Sequence, residues 1–261
     1  MFYYFGYGSN MDLTSIRAKG VQPLTSERAV LRGWELLFNV AHYFRHEGGV
    51  GNIQQTTRAG VEVQGVVHLC DDADLPGLDA VEAYGIGYDR ITVRVESDHE
   101  LLDAVVYTGM PGFIDDTCRP TQRYMNILLK GARSAGLPED YITMLNNFPT
   151  HVKKMRLPFV GPGDATKVFN EQSLGQYPDH TAIAGYVFDM SGARWQHEHL
   201  VDLFGGSDMT LWHLKRLDSS DGSETLDDIR HDKLGDGQRK YLNEYLHEYN
   251  REYTCVGRFE Y

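Results

Sequence analysis

The sequence predicts an α+β protein built in two parts, and three observations carry that expectation. Strand-like apolar runs, some of them alternating, fill much of residues 2–107. Helical periodicity takes over in Thr121 to Ala135 and returns in Gly237 to Tyr253. Between the two helical runs, Phe148 to Asp164 carries Pro149, Pro158, Gly161, Pro162 and Gly163 and breaks regular patterning. At 261 residues the chain exceeds the usual single-domain size and fits two domains. The boundaries expected are a first domain over 1–150, a linker over 151–164 and a second domain over 165–261.

Taken in order, Phe2 to Phe5 is a short aromatic strand that breaks into a tight loop, Gly6-Tyr7-Gly8-Ser9-Asn10. Asp12 to Lys19 supplies one or two helical turns. Gly33 to Ala41 and Val61 to Cys70 read as strands, and the early alternation of Val61-Glu62-Val63-Gln64 suits a sheet with one buried face. Asp74 to Tyr84 looks helical. Arg90 to Glu96 alternates Ile91, Val93 and Val95 against Thr92, Arg94 and Glu96, and Leu101 to Tyr107 is its hairpin partner. Thr121 to Ala135 puts Tyr124, Ile127, Leu128 and Ala132 on one helical face, with Gly136 as the stop and a second helix from Pro138 to about Asn147. Ile183 to Met190 is a strand candidate, followed by short polar helices. The closing helical run stripes Tyr241, Tyr245, Leu246 and Tyr249 along one side, a spacing that suits core packing.

Hydrophobic residues make up 41% and charged residues 24%, so a real core can form. A net charge of −12 opposes phosphate-backbone binding, and nucleic acid is not an expected partner. Cys70, Cys118 and Cys255 are odd in number and widely spaced, which suggests neither a disulfide framework nor a thiolate metal site. The opening Met1-Phe2-Tyr3-Tyr4-Phe5 lacks the basic segment and apolar length of a signal peptide, and nowhere do about eighteen apolar residues run together. A cytoplasmic location without membrane association is expected.

The strongest local signal is Tyr4-Phe5-Gly6-Tyr7-Gly8-Ser9-Asn10-Met11. A strand ending in Gly-Ser-Asn bares successive backbone N–H groups, a nest for an anionic or developing oxyanion oxygen. The same residue types also make an ordinary glycine-rich turn. Four segments follow in order: Gly48-Gly49-Val50-Gly51-Asn52-Ile53; Leu78-Asp79-Ala80-Val81-Glu82 with Gly87-Tyr88; Ala104-Val105-Val106-Tyr107; and Arg119-Pro120-Thr121-Gln122-Arg123-Tyr124. Together these resemble the γ-glutamylcyclotransferase family, including its AIG2-like members, over about residues 1–150.

The resemblance implies a mixed-sheet, barrel-like domain, with the loop of Tyr7, Gly8, Ser9 and Asn10 against a substrate glutamyl group. It places Glu82 as the catalytic carboxylate and Tyr88, Tyr107 and Tyr124 in the pocket. The implied reaction is cyclisation of a γ-glutamyl amine, amino acid or peptide to 5-oxoproline with release of the amine, with no metal or cofactor. One carboxylate suffices for this chemistry, because the nucleophile is the substrate's own α-amine and ring closure is intramolecular. Glu82 would take the amine proton and return it to the leaving nitrogen, and partial desolvation would raise its pKa. Taken alone, Glu82 reads as an exposed acid on an amphipathic helix. Ser9 as a nucleophile is disfavoured, since YGSN lacks the Gly-x-Ser-x-Gly elbow.

The second half resembles the cytochrome b5-like family that includes membrane-associated progesterone receptors. The matching segments are Ala184 to Ser191, Leu203-Phe204-Gly205-Gly206-Ser207-Asp208-Met209-Thr210, and the closing helix with Tyr249, Tyr253 and Val256-Gly257-Arg258-Phe259. The resemblance implies a smaller α+β accessory domain without haem: the His-Pro-Gly-Gly ligand is absent, and Val201 falls where the receptor group carries its ligating tyrosine. His197, His199 and His213 are substitutes to consider, although a His-x-His pair on a polar helix more often lies solvated at the surface. The alternative to an enzyme is a non-catalytic small-molecule or haem-binding module based on this domain.

Overall fold

A computed structural model describes residues 1–152 and 156–261. The chain divides into two compact units, residues 1–153 and 154–261. Part of the linker expected over 151–164 lies outside the described residues.

The first unit contains strands β1 (Phe2–Gly6), β2 (Thr25–Arg32), β3 (Trp34–Ala41), β4 (Gly49–Gln55), β5 (Glu62–Cys70), β6 (Tyr88–Ser97) and β7 (Leu101–Gly109), with helices α1 (Leu13–Arg17), α2 (Leu75–Val81), α3 (Gln122–Ser134) and α4 (Glu139–Asn146). Five strands close a barrel in the order β1-β5-β2-β6-β7, and β3 and β4 form a separate ribbon. All barrel neighbours are antiparallel except the closing pair, where β1 runs parallel to β7 with Tyr4 opposite Val105. The sheet is therefore mixed, and it has no free edge.

The interior is filled by Phe5, Ala29, Leu31, Val63, Val67, Val95 and Val106, all essentially inaccessible. β6 alternates as its sequence predicts. β5 departs from the expected one-sided burial: Val63 and Val67 face the barrel interior, while Val66 packs with Met11, Met125 and Leu128 beneath α3. A strand at the centre of the sheet with a helix on its outer face is covered on both sides. β2 carries no clear strand signal in the sequence, since Thr25-Ser26-Glu27-Arg28 has no apolar residue. It alternates nonetheless, burying Ala29 and Leu31 and turning Arg28 and Arg32 outward to Asp98, Glu96 and Glu62 across the sheet.

Gly65 of β5 packs against β1 with no room for a side chain. A Cβ there would lie 2.6 Å from the Gly6 carbonyl oxygen and 2.7 Å from the Phe5 ring. Gly65→Ala is expected to cost about 1–3 kcal/mol by overpacking, read as a lower urea midpoint at unchanged m-value.

The second unit contains β8 (Lys167–Phe169), β9 (His180–Ile183), β10 (Tyr186–Asp189), β11 (Ser207–Asp208) and β12 (Thr254–Phe259), and helices α5 (Glu171–Leu174), α6 (Glu198–Phe204), α7 (Thr210–Leu214), α8 (Leu226–Arg230) and α9 (Asp236–Glu252). Its strands make one sheet in the order β11-β9-β10-β12-β8, giving a second α+β arrangement. The strand expected over Ile183 to Met190 is instead the turn and second arm of a hairpin. Ala184 (φ 46°) and Gly185 (φ 81°) reverse the chain between β9 and β10. Ala-Gly is a weak turn signal, because the first position of such a turn normally calls for Asn, Asp or Gly.

Tyr241, Tyr245, Leu246 and Tyr249 of α9 are buried together, as their stripe predicts. His197 is not the solvated surface residue expected. It is fully buried at the start of α6, with Nδ1 2.9 Å from the Tyr253 hydroxyl and Nε2 2.8 Å from Arg194 Nη2. His213 is buried on α7 beside the Tyr249 hydroxyl at 2.9 Å. Among the described residues, the three side chains placed to share a metal ion are Asp179, His180 and Asp189, not the His197/His199 pair. No helix among the described residues is long and apolar enough to cross a membrane.

Candidate active site

The site is a pocket in the first unit lined by Tyr4, Tyr7, Gly8, Ser9, Asn10, Lys19, Gly51, Glu82, Tyr88, Tyr107 and Tyr124. All eight candidate residues from the sequence meet there, drawn from the loop after β1, the end of α2, β6, β7 and α3. β1 delivers Tyr4 from below. Beyond Gly6 the chain leaves the sheet and coils into a 3-10 turn over Ser9–Met11, pinned by the Met11 and Asp12 amides donating to the Gly8 and Ser9 carbonyls at 3.1 Å. The Asp12 carboxylate then caps α1 by accepting from the Ser15 amide at 3.1 Å.

Gly8 and Gly51 are needed for room. A Cβ on either would come within 2.8 and 2.9 Å of the Tyr124 hydroxyl, respectively. That hydroxyl accepts from the Gly51 amide at 3.0 Å, and burial pushes its pKa up to about 12. The Gly51 carbonyl in turn accepts from Tyr88 at 2.7 Å, and Tyr7 donates to the Tyr107 carbonyl at 2.6 Å. Tyr107 directs its own hydroxyl to Asp79 Oδ1 at 2.6 Å, on a carboxylate also paired with Arg90. The phenols are thus oriented by hydrogen bonds, and burial keeps Tyr4, Tyr7, Tyr88 and Tyr107 neutral by raising their pKa values.

Glu82 occupies the C-cap of α2, with the following Ala83 in the left-handed region (φ 50°) to turn the chain away. It is not an exposed helix acid: its side chain is 13% accessible, and Oε1 takes both Lys19 Nζ at 2.7 Å and Asn10 Nδ2 at 3.0 Å. Lys19 is equally enclosed, at 8%. Asn10 also reaches the Tyr4 hydroxyl at 2.6 Å. Among the described residues, the charged side chains lining the pocket are therefore a carboxylate and an ammonium in contact, surrounded by neutral phenols.

Behind the loop, His68 is completely buried, with Nε2 2.8 Å from the Asn10 carbonyl oxygen and Nδ1 2.7 Å from Ser26 Oγ. The carbonyl can only accept, so Nε2 carries the proton and Nδ1 accepts from Ser26. With both nitrogens used, His68 leaves no base for Ser9. Burial pushes its pKa down to about 4. Unfolded histidine titrates near about 6.5, so this contribution is fully present above that value and is lost as pH falls toward the folded value. It amounts to on the order of 3 kcal/mol. Urea titrations between pH 7 and 4 are expected to show that slope and to show it flattened in His68→Gln.

A second buried ion pair anchors α3. Glu47, in the 3-10 turn Arg45–Glu47, has no accessible side-chain surface and accepts from Arg123 Nη2 at 2.5 Å and Nε at 3.2 Å. Arg123 immediately precedes Tyr124, so this pair ties the chain entering β4 to the helix that supplies the pocket phenol.

Lys19, Tyr4 and the Gly51 backbone were not among the candidates. Lys19 looks like any basic residue closing a short helix, and only the fold brings it across to Glu82. Tyr4 reads as a strand residue among aromatics. Gly51 contributes backbone atoms, which leave no signature beyond the glycine itself.

With this geometry in place, the class of the first unit follows: it has the γ-glutamylcyclotransferase-like barrel fold. Residues 62–145 match the model of the AIG2-like family. Two solved structures superpose on 60% of this chain and 92% of their own, each with a TM-score of 0.52: an uncharacterized protein from Homo sapiens at 26% identity, and a gamma-glutamyl cyclotransferase at 25%. Among curated proteins, the gamma-glutamyl cyclotransferase aclK of Aspergillus oryzae is 24% identical over 166 residues, which is 56% of this chain. The match spans 60% of that relative's length.

Proposed function

We propose that the first unit is a γ-glutamyl cyclotransferase that converts a γ-glutamyl amine, amino acid or peptide into 5-oxoproline and the free amine, with Glu82 as general acid and base. The observation that carries this reading is the enclosed Glu82–Lys19 pair in a pocket of neutral phenols. A γ-glutamyl group carries an α-ammonium and an α-carboxylate on one carbon, and the pair is its electrostatic complement. On binding, the substrate ammonium replaces the lysine ammonium at Glu82, and Lys19 turns to the α-carboxylate.

Glu82 then takes one proton from the ammonium, and the freed amine attacks the γ-carbonyl carbon. Charge moves to the carbonyl oxygen, where the Gly8 amide is the backbone donor, the Ser9 amide being engaged by the Tyr124 hydroxyl. Glu82 returns the proton to the leaving nitrogen and the old C–N bond breaks; the ring nitrogen then gives up its second proton through the same carboxylate to the departing amine, so that neutral-lactam 5-oxoproline and the ammonium form of the amine are released. Atoms and charge balance without an enzyme nucleophile or a resident cofactor. Tyr7, Tyr88, Tyr107 and Tyr124 shape the pocket and exclude water, and their fixed hydroxyls favour a folded, near-attack glutamyl chain.

The test is 5-oxoproline release from a panel of γ-glutamyl amines, amino acids and peptides by the full chain. Release from at least one donor supports the reading. Silence toward every donor, with saturable binding of one, would leave the pocket as a binding module instead. Within the same assay, Lys19→Met is expected to raise KM about 10- to 100-fold, the size of one charged hydrogen bond. Its effect on kcat should be smaller, because the carboxylate contact persists from ground state to transition state. An unchanged KM would remove Lys19 from substrate recognition.

A further inference from the structure

The second unit holds a cavity that the reaction in the barrel does not use. It encloses about 650 Å³ and is lined by α5, β11, α8 and the segment Phe259 to Tyr261. That volume lies within the range of small-molecule sites, roughly 300–1,000 Å³. Leu174, Leu226 and Phe259 supply apolar wall, and the charged lining is three carboxylates, Glu171, Asp208 and Glu260, against one guanidinium, Arg230. Arg230 is itself 3.5 Å from Asp227.

Asp208 sets the polar end of the cavity. Its Oδ1 accepts from the Thr210 hydroxyl at 2.6 Å, whereas Oδ2 is buried and has no hydrogen-bond partner among the described residues. Thr210 Oγ1 also accepts from the Ala184 amide at 2.7 Å and lies 2.7 Å from the Tyr261 hydroxyl. Thr210 has one proton, and it goes to Asp208, so Tyr261 must be the donor in that contact. The Tyr261 oxygen also takes the Gly185 amide and is left with one lone pair. This corner consequently presents acceptors, a carboxylate oxygen and a phenol oxygen, and offers no donor to a ligand. Burial raises the Asp208 pKa to about 6, so the carboxylate form still predominates at neutral pH.

We infer that this cavity is a binding site for an organic monocation: an amine whose ammonium donates to Asp208 and Tyr261 and whose apolar body lies against Leu174, Leu226 and Phe259. A neutral ligand of the same shape leaves the acidic corner without a counter-charge. An anion meets three carboxylates. The inference does not depend on the barrel's reaction.

The probe is phenethylamine, with 2-phenylethanol as its neutral counterpart, titrated into the full ¹⁵N-labelled chain and followed by amide resonances. Phenethylamine is expected to shift the Ser207, Asp208 and Tyr261 amides saturably, with 2-phenylethanol at least tenfold weaker. Asp208→Asn is expected to erase that preference. Because Asp208→Asn could perturb β11, Glu260→Gln at the rim gives a second reading and is expected to weaken phenethylamine two- to fivefold while leaving the spectrum otherwise native. Shifts confined to amides around Glu82, or equal affinity for the amine and the alcohol, would overturn the inference.

Discussion

Glu82→Gln is expected to lower 5-oxoproline release by about 10²- to 10⁴-fold, equivalent to about 3–5 kcal/mol in the barrier, in a protein that still folds. Glutamine keeps the shape and an acceptor oxygen at the end of the side chain. Asn10 and Lys19 therefore retain a partner for the contacts they make to Oε1 at 3.0 and 2.7 Å. What is lost is the ability to take a proton from the substrate ammonium. The fall should appear mainly in kcat, with a smaller rise in KM because the ammonium also loses its counter-charge. Glu82→Asp separates the two effects: it keeps a base but withdraws it by one methylene, so an intermediate rate is expected. Activity of Glu82→Gln within threefold of the unmodified protein, at matched thermal stability, would sink the general-base assignment.

Glu47→Ala is expected to be the most destabilising single change in the first unit outside the apolar core, at about 3–5 kcal/mol. Its carboxylate has no accessible surface, and its partner Arg123 is only 14% accessible. Truncating the acid takes the counter-charge from a guanidinium that water reaches poorly. Arg123→Met on top of Glu47→Ala removes the uncompensated positive charge while keeping the aliphatic stem, and should recover part of the loss. Urea denaturation of both singles and the double closes the cycle. If the double is as unstable as Glu47→Ala alone, the penalty comes from packing and not from charge. Because Arg123 adjoins Tyr124, Glu47→Ala should also lower activity under conditions where most molecules remain folded.

The elements most legible in the sequence were those whose periodicity matched one-sided burial. β6 alternates along its length, and α3 and α9 bury the stripes their spacing predicts. β5 and β2 were harder for opposite reasons: β5 is covered on both faces, and β2 hides two inward residues among charges that pair across the sheet. The β9–β10 hairpin was unreadable because Ala184 adopts a conformation its side chain gives no hint of. At the site, the tyrosines, the YGSN loop and Glu82 stood out as a set only through family resemblance, because each alone has an ordinary explanation. Lys19 could not have been found by spacing, since it is distant from Glu82 in sequence and meets it only after α1 and α2 are placed. His197 shows the same limit from the other side. A histidine in a polar stretch was expected in water, and Tyr253 and Arg194 draw it inside.

β1 both closes the barrel, through its parallel register with β7, and leads directly into the loop that meets Glu82. Amides along that seam can exchange with solvent only when the barrel as a whole opens, so their protection reports the global free energy of the unit. Ligand occupancy at the loop then registers at the most protected amides. A bound γ-glutamyl analogue at one hundred times its dissociation constant would slow exchange along β1 and β7 by about 100-fold, the equivalent of about 2.7 kcal/mol. Occupancy could thus be measured in the barrel wall, without a probe in the pocket and before any turnover is detected.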